Sequence, residues 1–174
     1  DGVDDYVQTA AGPGITGAQA RTVSFWSYTR TLPAASLNGT VVVGFGNAAQ
    51  YNYYQMVVLP GTGNWNLWGS GYDFYPGISV VLNTWEFHTL TFDGTNMIWY
   101  RNGVKVGSGN MSLLNTGNVG YIRIGTAIIN PHFYNGYYDG LIDEVRIYGQ
   151  ALSVGQIQQH YAEVLKKHQN FAIK

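Results

Sequence analysis

Apolar and polar residues alternate with a period of two in short runs, and clusters of Gly, Asn and Asp separate the runs. The runs cover 5–9, 22–30, 40–46, 53–59, 65–69, 78–82, 85–92, 96–101, 104–108, 119–125 and 140–148. About eleven strands of this length predict two antiparallel sheets that bury each other's inner faces. The turn chemistry is plainest in the middle of the chain. Asp93-Gly94 and Asn102-Gly103 supply the positive φ angles of tight hairpins, so Trp85 to Gly107 reads as a three-stranded meander. In 140–148 the odd positions Leu141, Val145 and Ile147 are apolar and Glu144 and Arg146 are charged, which turns the odd positions inward. Asp143 shares that phase, and an inward acid must be paired, hydrogen-bonded or metal-bound.

Only the last segment has a helical period. Ser153 and Gln156 form a capping box, and Ile157, Tyr161, Val164 and Leu165 follow as one apolar stripe that His168, Phe171 and Ala172 extend. The chain thus divides into a sandwich over 1–152 and a C-terminal helix and tail over 153–174. The length of 162–174 exceeds what a small sandwich needs and predicts a segment that packs on a neighbouring subunit, or a severed linker.

Composition narrows the class. The 174 residues include 23 Gly and 26 aromatics (5 Trp, 14 Tyr, 7 Phe), and only 11% are charged. That profile excludes coiled coils, helical bundles and disordered chains. A net charge of -1 provides no field for nucleic acid phosphates, and no apolar run approaches the ~20 residues of a membrane span. There is no Cys, hence no disulfide and no thiolate zinc site. The start at Asp1 rather than Met is consistent with a removed leader or a cut within a longer chain. Asn38-Gly39-Thr40 and Asn110-Met111-Ser112 are N-glycosylation triplets.

The motifs Asp1-Gly2-Val3-Asp4-Asp5-Tyr6-Val7, Arg21-Thr22-Val23-Ser24-Phe25-Trp26, 85–94 with Tyr100-Arg101-Asn102-Gly103, and 140–148 with Ala151-Leu152-Ser153 come in order across the chain. Together they resemble the laminin-G-like (concanavalin-A-like) domains. The resemblance implies an all-β, two-sheet antiparallel jelly-roll β-sandwich with one C-terminal helix, export to the cell surface, and glycan or protein binding, frequently with calcium. It also implies that the first and last strands pair. The tail is similar to those of some bacterial pilin-like proteins that carry such a domain.

Pairing of the terminal strands would gather five of the seven Asp, namely Asp1, Asp4, Asp5, Asp139 and Asp143, around a structural Ca2+. The alternative is that these acids accept hydrogen bonds from turn amides. No strand other than the terminal ones carries two acids in one phase. The paired carboxylates of a glycosidase are thus not apparent, and His88 reads as a buried core imidazole. Sugars stack on Tyr and Trp, with Asn and Asp reading their hydroxyls. The residues with that composition are Tyr51, Tyr53, Trp65, Trp68, Tyr72 and Tyr75 in one stretch and Tyr134 and Tyr137 in another. The same aromatics also serve as strand formers and core fillers. Two functions remain open at this level: a non-catalytic extracellular module recognising glycan or a surface protein, or a self-assembling subunit of a filament or surface layer.

Overall fold

In the computed structural model, residues 1–47, 49–118, 120–128 and 136–169 are described. The described residues form ten strands divided between two five-stranded sheets. They are β1 (Val7–Gln8), β2 (Arg21–Thr29), β3 (Thr40–Gly46), β4 (Tyr53–Val58), β5 (Trp65–Trp68), β6 (Trp85–Phe92), β7 (Asn96–Arg101), β8 (Val104–Asn110), β9 (Arg123–Ile124) and β10 (Gly140–Tyr148). One sheet has the order β1-β9-β3-β4-β5 and the other β10-β2-β6-β7-β8, with every ladder antiparallel. Residues 78–82 contribute an isolated bridge at Ser79 instead of a strand.

The meander forms as its turns dictate. Asn102 and Gly103 both have positive φ, +52° and +77°, which matches the twist of the flanking strands β7 and β8. At the other turn Asp93 Oδ1 accepts from the amides of Thr95 (2.8 Å) and Asn96 (2.7 Å). Those amides hold the Asp93 carboxyl below its ordinary range.

Between the sheets lies one apolar cluster that includes Phe25, Val42, Phe45, Tyr54, Met56, Trp65, Leu67, Leu90, Phe92 and Trp99, all fully buried. A polar pocket sits within it. Trp99 Nε1 donates to His88 Nδ1 at 3.0 Å, and His88 Nε2 lies 3.8 Å from Glu86. Arg101 and the Val81 amide hold Glu86 at 3.2 and 3.1 Å. Burial pushes the Glu86 carboxyl up, and its contacts with His88, Val81 and Arg101 pull it down further. Arg21 is also fully buried. It donates to Thr116 Oγ1, the Gly17 carbonyl and the Gln19 carbonyl at 2.7–2.9 Å, with the Tyr54 and Phe92 rings beside it.

The helix α1 (Val154–Gln169) covers the outer face of the second sheet. Its start is the expected capping box: Ser153 N donates to Gln156 Oε1 (2.9 Å) and Gln156 N to Ser153 Oγ (3.4 Å). Ile157 packs on Tyr100 and Leu152, and Val164 packs on Trp26 and Phe87. His168 is buried between Trp26 and Trp85, each ring centroid 4.2 Å away. The apolar stripe of 162–168 therefore docks on its own sheet, where a neighbouring subunit was expected. Phe171 and Ala172 lie outside the described residues.

Two expectations about the terminal strands are corrected. β1 pairs with β9, through Val7–Ile124 and Gln8–Arg123, whereas β10 pairs with β2, so the first and last strands belong to different sheets. The phase of β10 also breaks. A bulge between Asp143 and Arg146, with Glu144 at φ +52°, inserts a residue into the ladder. Before it Ile142 packs on the core while Leu141 and Asp143 point out; after it Val145 and Ile147 pack on the core. Asp143 opposes Trp26 on the helix-covered face, where Lys167 Nζ donates to it at 2.7 Å.

Candidate functional site

At the edge where β1 and β10 face one another the sandwich is open. A groove of about 520 Å³ runs there, lined by Asp1, Asp5, Tyr6, Arg30, Tyr138 and Leu141 among others. Further along the same edge Ile122, Ile124, Val145 and Ile147 line a smaller apolar cavity of about 270 Å³. The groove exists because β1 is only two residues long, so the chain before it is not drawn into the ladder. Tyr6 consequently stays outside the core, 49% exposed. Arg123 sits 5.4 Å from the centroid of its ring, and the Tyr137 ring is 6.2 Å away. Arg123 is itself fixed by the Ala127 carbonyl (2.8 Å) and Gln8 (3.0 Å).

On the acidic side, carboxylate oxygens of Asp1, Asp4 and Asp5 all lie within 4.8 Å of one another, and all three residues are exposed. Gly2 lies against Asp139: a Cβ on Gly2 would come within 3.0 Å of the Asp139 Cβ. The Asp139 carboxylate, however, takes the Thr31 hydroxyl at 2.7 Å and Arg30 at 3.3 Å. Of the five acids expected around calcium, three therefore converge. Asp139 is committed to Thr31 and Arg30, and Asp143 is withdrawn by the bulge to Lys167. Burial pushes the Asp143 carboxyl up, but the Lys167 ammonium and the Glu144 amide hold it low, as befits an ion-paired acid. Three carboxylates at this spacing fit a Ca2+ ion, which takes its remaining oxygens from carbonyls and water.

The aromatic residues expected at a ligand site scatter. Trp65 is fully buried in the core, a correction to its expected place at a ligand surface. It occupies the inward phase of β5 beside Leu67, with the His88 ring 4.3 Å away. Tyr53 is half-buried against the core, and Trp68 packs outside the first sheet on Val41, Val57 and Ala127. Tyr51 and Tyr72 meet at the far edge of the sandwich, Tyr75 stands exposed with its hydroxyl on Asp73, and Tyr137 joins Tyr6 at the groove. Tyr134 lies outside the described residues. Tyr6 and Arg30 carry the groove and were not singled out from the sequence. The available signal was Asp4-Asp5-Tyr6, an aromatic placed directly after two acids, which is unusual for a core strand.

Two five-stranded sheets, a helix on one outer face and an open, aromatic edge groove define a jelly-roll β-sandwich. Residues 1–158 match the family described as the concanavalin A-like lectin/glucanases superfamily (Laminin_G_3), and the chain belongs to that family. Among solved structures it is similar to domain 4 of AbnA, an extracellular arabinanase from Geobacillus stearothermophilus, determined in complex with arabinotriose. The identity is 25% and the TM-score 0.64, over 84% of this chain and 68% of that one. A putative carbohydrate binding protein from Bacteroides ovatus shares the fold at 17% identity and TM-score 0.70, over 88% of this chain and 44% of that one. The binding domain of Paraclostridial Mosquitocidal Protein 1 does so at 18% and 0.67, over 91% and 41%. The chain thus spans less than half of the latter two. No curated protein matches the sequence. No helix among the described residues is long and apolar enough to cross a membrane.

Proposed function

We propose that the protein is a non-catalytic, extracellular recognition module that binds glycan through the β1–β10 groove at a cell surface. The observation that carries this reading is a half-exposed Tyr6 ring beside the Asp1 and Asp5 carboxylates and the Arg30 guanidinium in one groove. A ring face offers a stacking surface for sugar C–H groups, carboxylates accept hydroxyl hydrogens, and a guanidinium donates to ring or glycosidic oxygens. The arabinotriose complex of the similar arabinanase domain supports the ligand class. The three clustered acids are all solvent-exposed, which leaves them without the apolar surroundings that make one carboxyl a proton donor. Asp1, Asp4 and Asp5 would hold Ca2+, which would neutralise the acidic wall of the groove and tie the N-terminal turn together.

The test is titration with arabinotriose, xylotriose, cellotriose and maltotriose. Binding of at least one, weakened roughly tenfold by Tyr6→Ala, is expected, because a lost stacking contact is worth on the order of 1 kcal/mol. Unchanged affinity in Tyr6→Ala refutes the placement.

A further inference from the structure

At the opposite edge of the sandwich, residues 72–76 close the gap between β5 and β8. Phe74 is the anchor. It is buried, exchanges both backbone hydrogen bonds with Leu67 of β5 (2.9 and 3.0 Å), and packs on Gly109 of β8. Pro76 presses on Gly107, where a Cβ would meet the proline Cα at 2.9 Å. The tyrosines on either side of this anchor differ: Tyr72 packs on the rim of the core, whereas Tyr75 points outward. Tyr75 is 64% exposed and its hydroxyl donates to Asp73 Oδ2 at 3.3 Å, while Asp73 Oδ1 takes the Gly69 amide at 2.9 Å. Tyr72 is half-buried, and its hydroxyl donates to the Asn110 carbonyl at 3.0 Å and lies 3.3 Å from Asn110 Oδ1. The Tyr51 ring meets Tyr72 edge-on, 6.0 Å between centroids at 70°.

The backbone beneath these rings is strained. Tyr51 has φ +64° and Ser70 φ +63°, and the two are bonded to each other, Tyr51 N to Ser70 O at 2.9 Å. The left-handed region is unfavourable for any residue with a side chain and rarest for bulky ones. Gly71, next in the chain, takes φ +91° without that cost. A glycine at 51 would relieve that strain at the loss of the Tyr51 ring. That ring meets the ring of Tyr72, whose hydroxyl is anchored on Asn110, while the Tyr75 hydroxyl nearby is held by Asp73. Pre-fixed rings bind at low entropic cost.

We propose that Tyr51, Tyr72 and Tyr75, with Asp73 and Asn110, form a further saccharide-binding face on the edge opposite the β1–β10 groove. The proposal shares with the β1–β10 groove only the class of ligand. Tyrosine rings supply the stacking surface, Asp73 accepts from hydroxyls, and the exposed Asn110 amide nitrogen, which donates no hydrogen bond among the described residues, is free to donate to a sugar oxygen. A neutral oligosaccharide fits this set.

The experiment is an amide NMR titration of the full chain with arabinotriose, xylotriose, cellotriose and maltotriose. It uses the wild type, Tyr6→Ala, and the pair Tyr51→Gly/Tyr75→Ala. The expected result is saturable shifts at 70–75 and 110, separate from those at 5–7 and 138–141. The double variant should lose the first set, with affinity down more than tenfold, while its melting temperature is held or raised by Gly at 51. A structural role for Tyr51 would lower the melting temperature instead. Shifts at 70–75 and 110 that survive in the double variant, or are absent from the wild type, overturn the proposal. Loss of the shifts at 5–7 alone, or their persistence in Tyr6→Ala, bears on the groove and leaves this face standing.

Discussion

Two imidazoles, His88 and His168, are buried without room for a charge, and this makes the fold acid-sensitive in a defined window. His88 is fully buried against Trp65 and Phe25, with Glu86 and Arg101 the charged groups nearby. His168 is 3% exposed between Trp26 and Trp85, with Asp143 Oδ2 3.7 Å from Nε2 and Lys167 bound to the same carboxylate. Burial pushes both imidazoles below their ordinary value; Glu86 and Asp143 oppose the shift without reversing it. A lowered folded-state value means that the unfolded chain takes up the proton first. Stability is therefore full above the unfolded value of about 6.5 and falls as the pH drops through it. An imidazole that stays neutral in the fold while the unfolded chain takes up its proton contributes at most about 1.4 kcal/mol of loss per pH unit below 6.5. The lowered Glu86 and Asp143 carboxyls act in the same direction but below their own unfolded range, near pH 4, so they do not confound this interval. Urea unfolding followed by tryptophan fluorescence at pH 5, 6, 7 and 8 reads the effect as a midpoint shift on the order of 1 M per 2 kcal/mol. His88→Gln keeps an acceptor for Trp99 Nε1, and His168→Leu removes two buried nitrogens that have no hydrogen-bond partner among the described residues. Each variant is expected to flatten the acid slope, by at most about 1.4 kcal/mol per pH unit. If the wild type and both variants lose stability in parallel between pH 6.5 and 5, the reasoning is wrong.

Trp26→Ala removes the ring that stacks with Phe87, Tyr161 and His168; a loss of about 3–5 kcal/mol is expected in denaturant melts, with lower helical signal at 222 nm. Gly107→Val drives a side chain into Pro76; about 1–3 kcal/mol of destabilisation is expected, with displacement of Tyr75 visible as a shifted amide pattern at 72–76. Asp4→Asn with Asp5→Asn removes two of the three clustered carboxylates. Calcium is expected to raise the melting temperature of the wild type and not that of this variant, and a wild type indifferent to chelator refutes the ion.

The features legible in the sequence were those set by neighbours in the chain. Asn102-Gly103 specifies its turn through two positive φ angles, and Ser153 with Gln156 specifies the helix start. The period-two pattern placed Val145 and Ile147 inward as found. Asp143 was misplaced because a single left-handed residue at Glu144 shifts the phase of everything before it, and no glycine marks that position. Trp65 was misread because composition cannot separate a ring that fills the core from one that lines a surface; only the phase against Leu67 does. Tyr6 was missed for the converse reason. It lies in a segment patterned like a strand, but the ladder takes up only Val7 and Gln8. The docking of α1 on its own sheet depended on Trp26 and Phe87, far away in the chain, whose outward phase left an apolar stripe awaiting a cover.

The bulge in β10 has a consequence for the protein in a crowd. Among the described residues β10 is the last strand of its sheet, so no strand pairs with its outer row of amides and carbonyls there. A flat nine-residue edge would be a template for runaway pairing. The extra residue at Asp143–Glu144 breaks the regular spacing of that row, and the Glu144–Arg146 pair and Lys167 put charge beside it. Many copies can then stand side by side at high density without their sheets fusing.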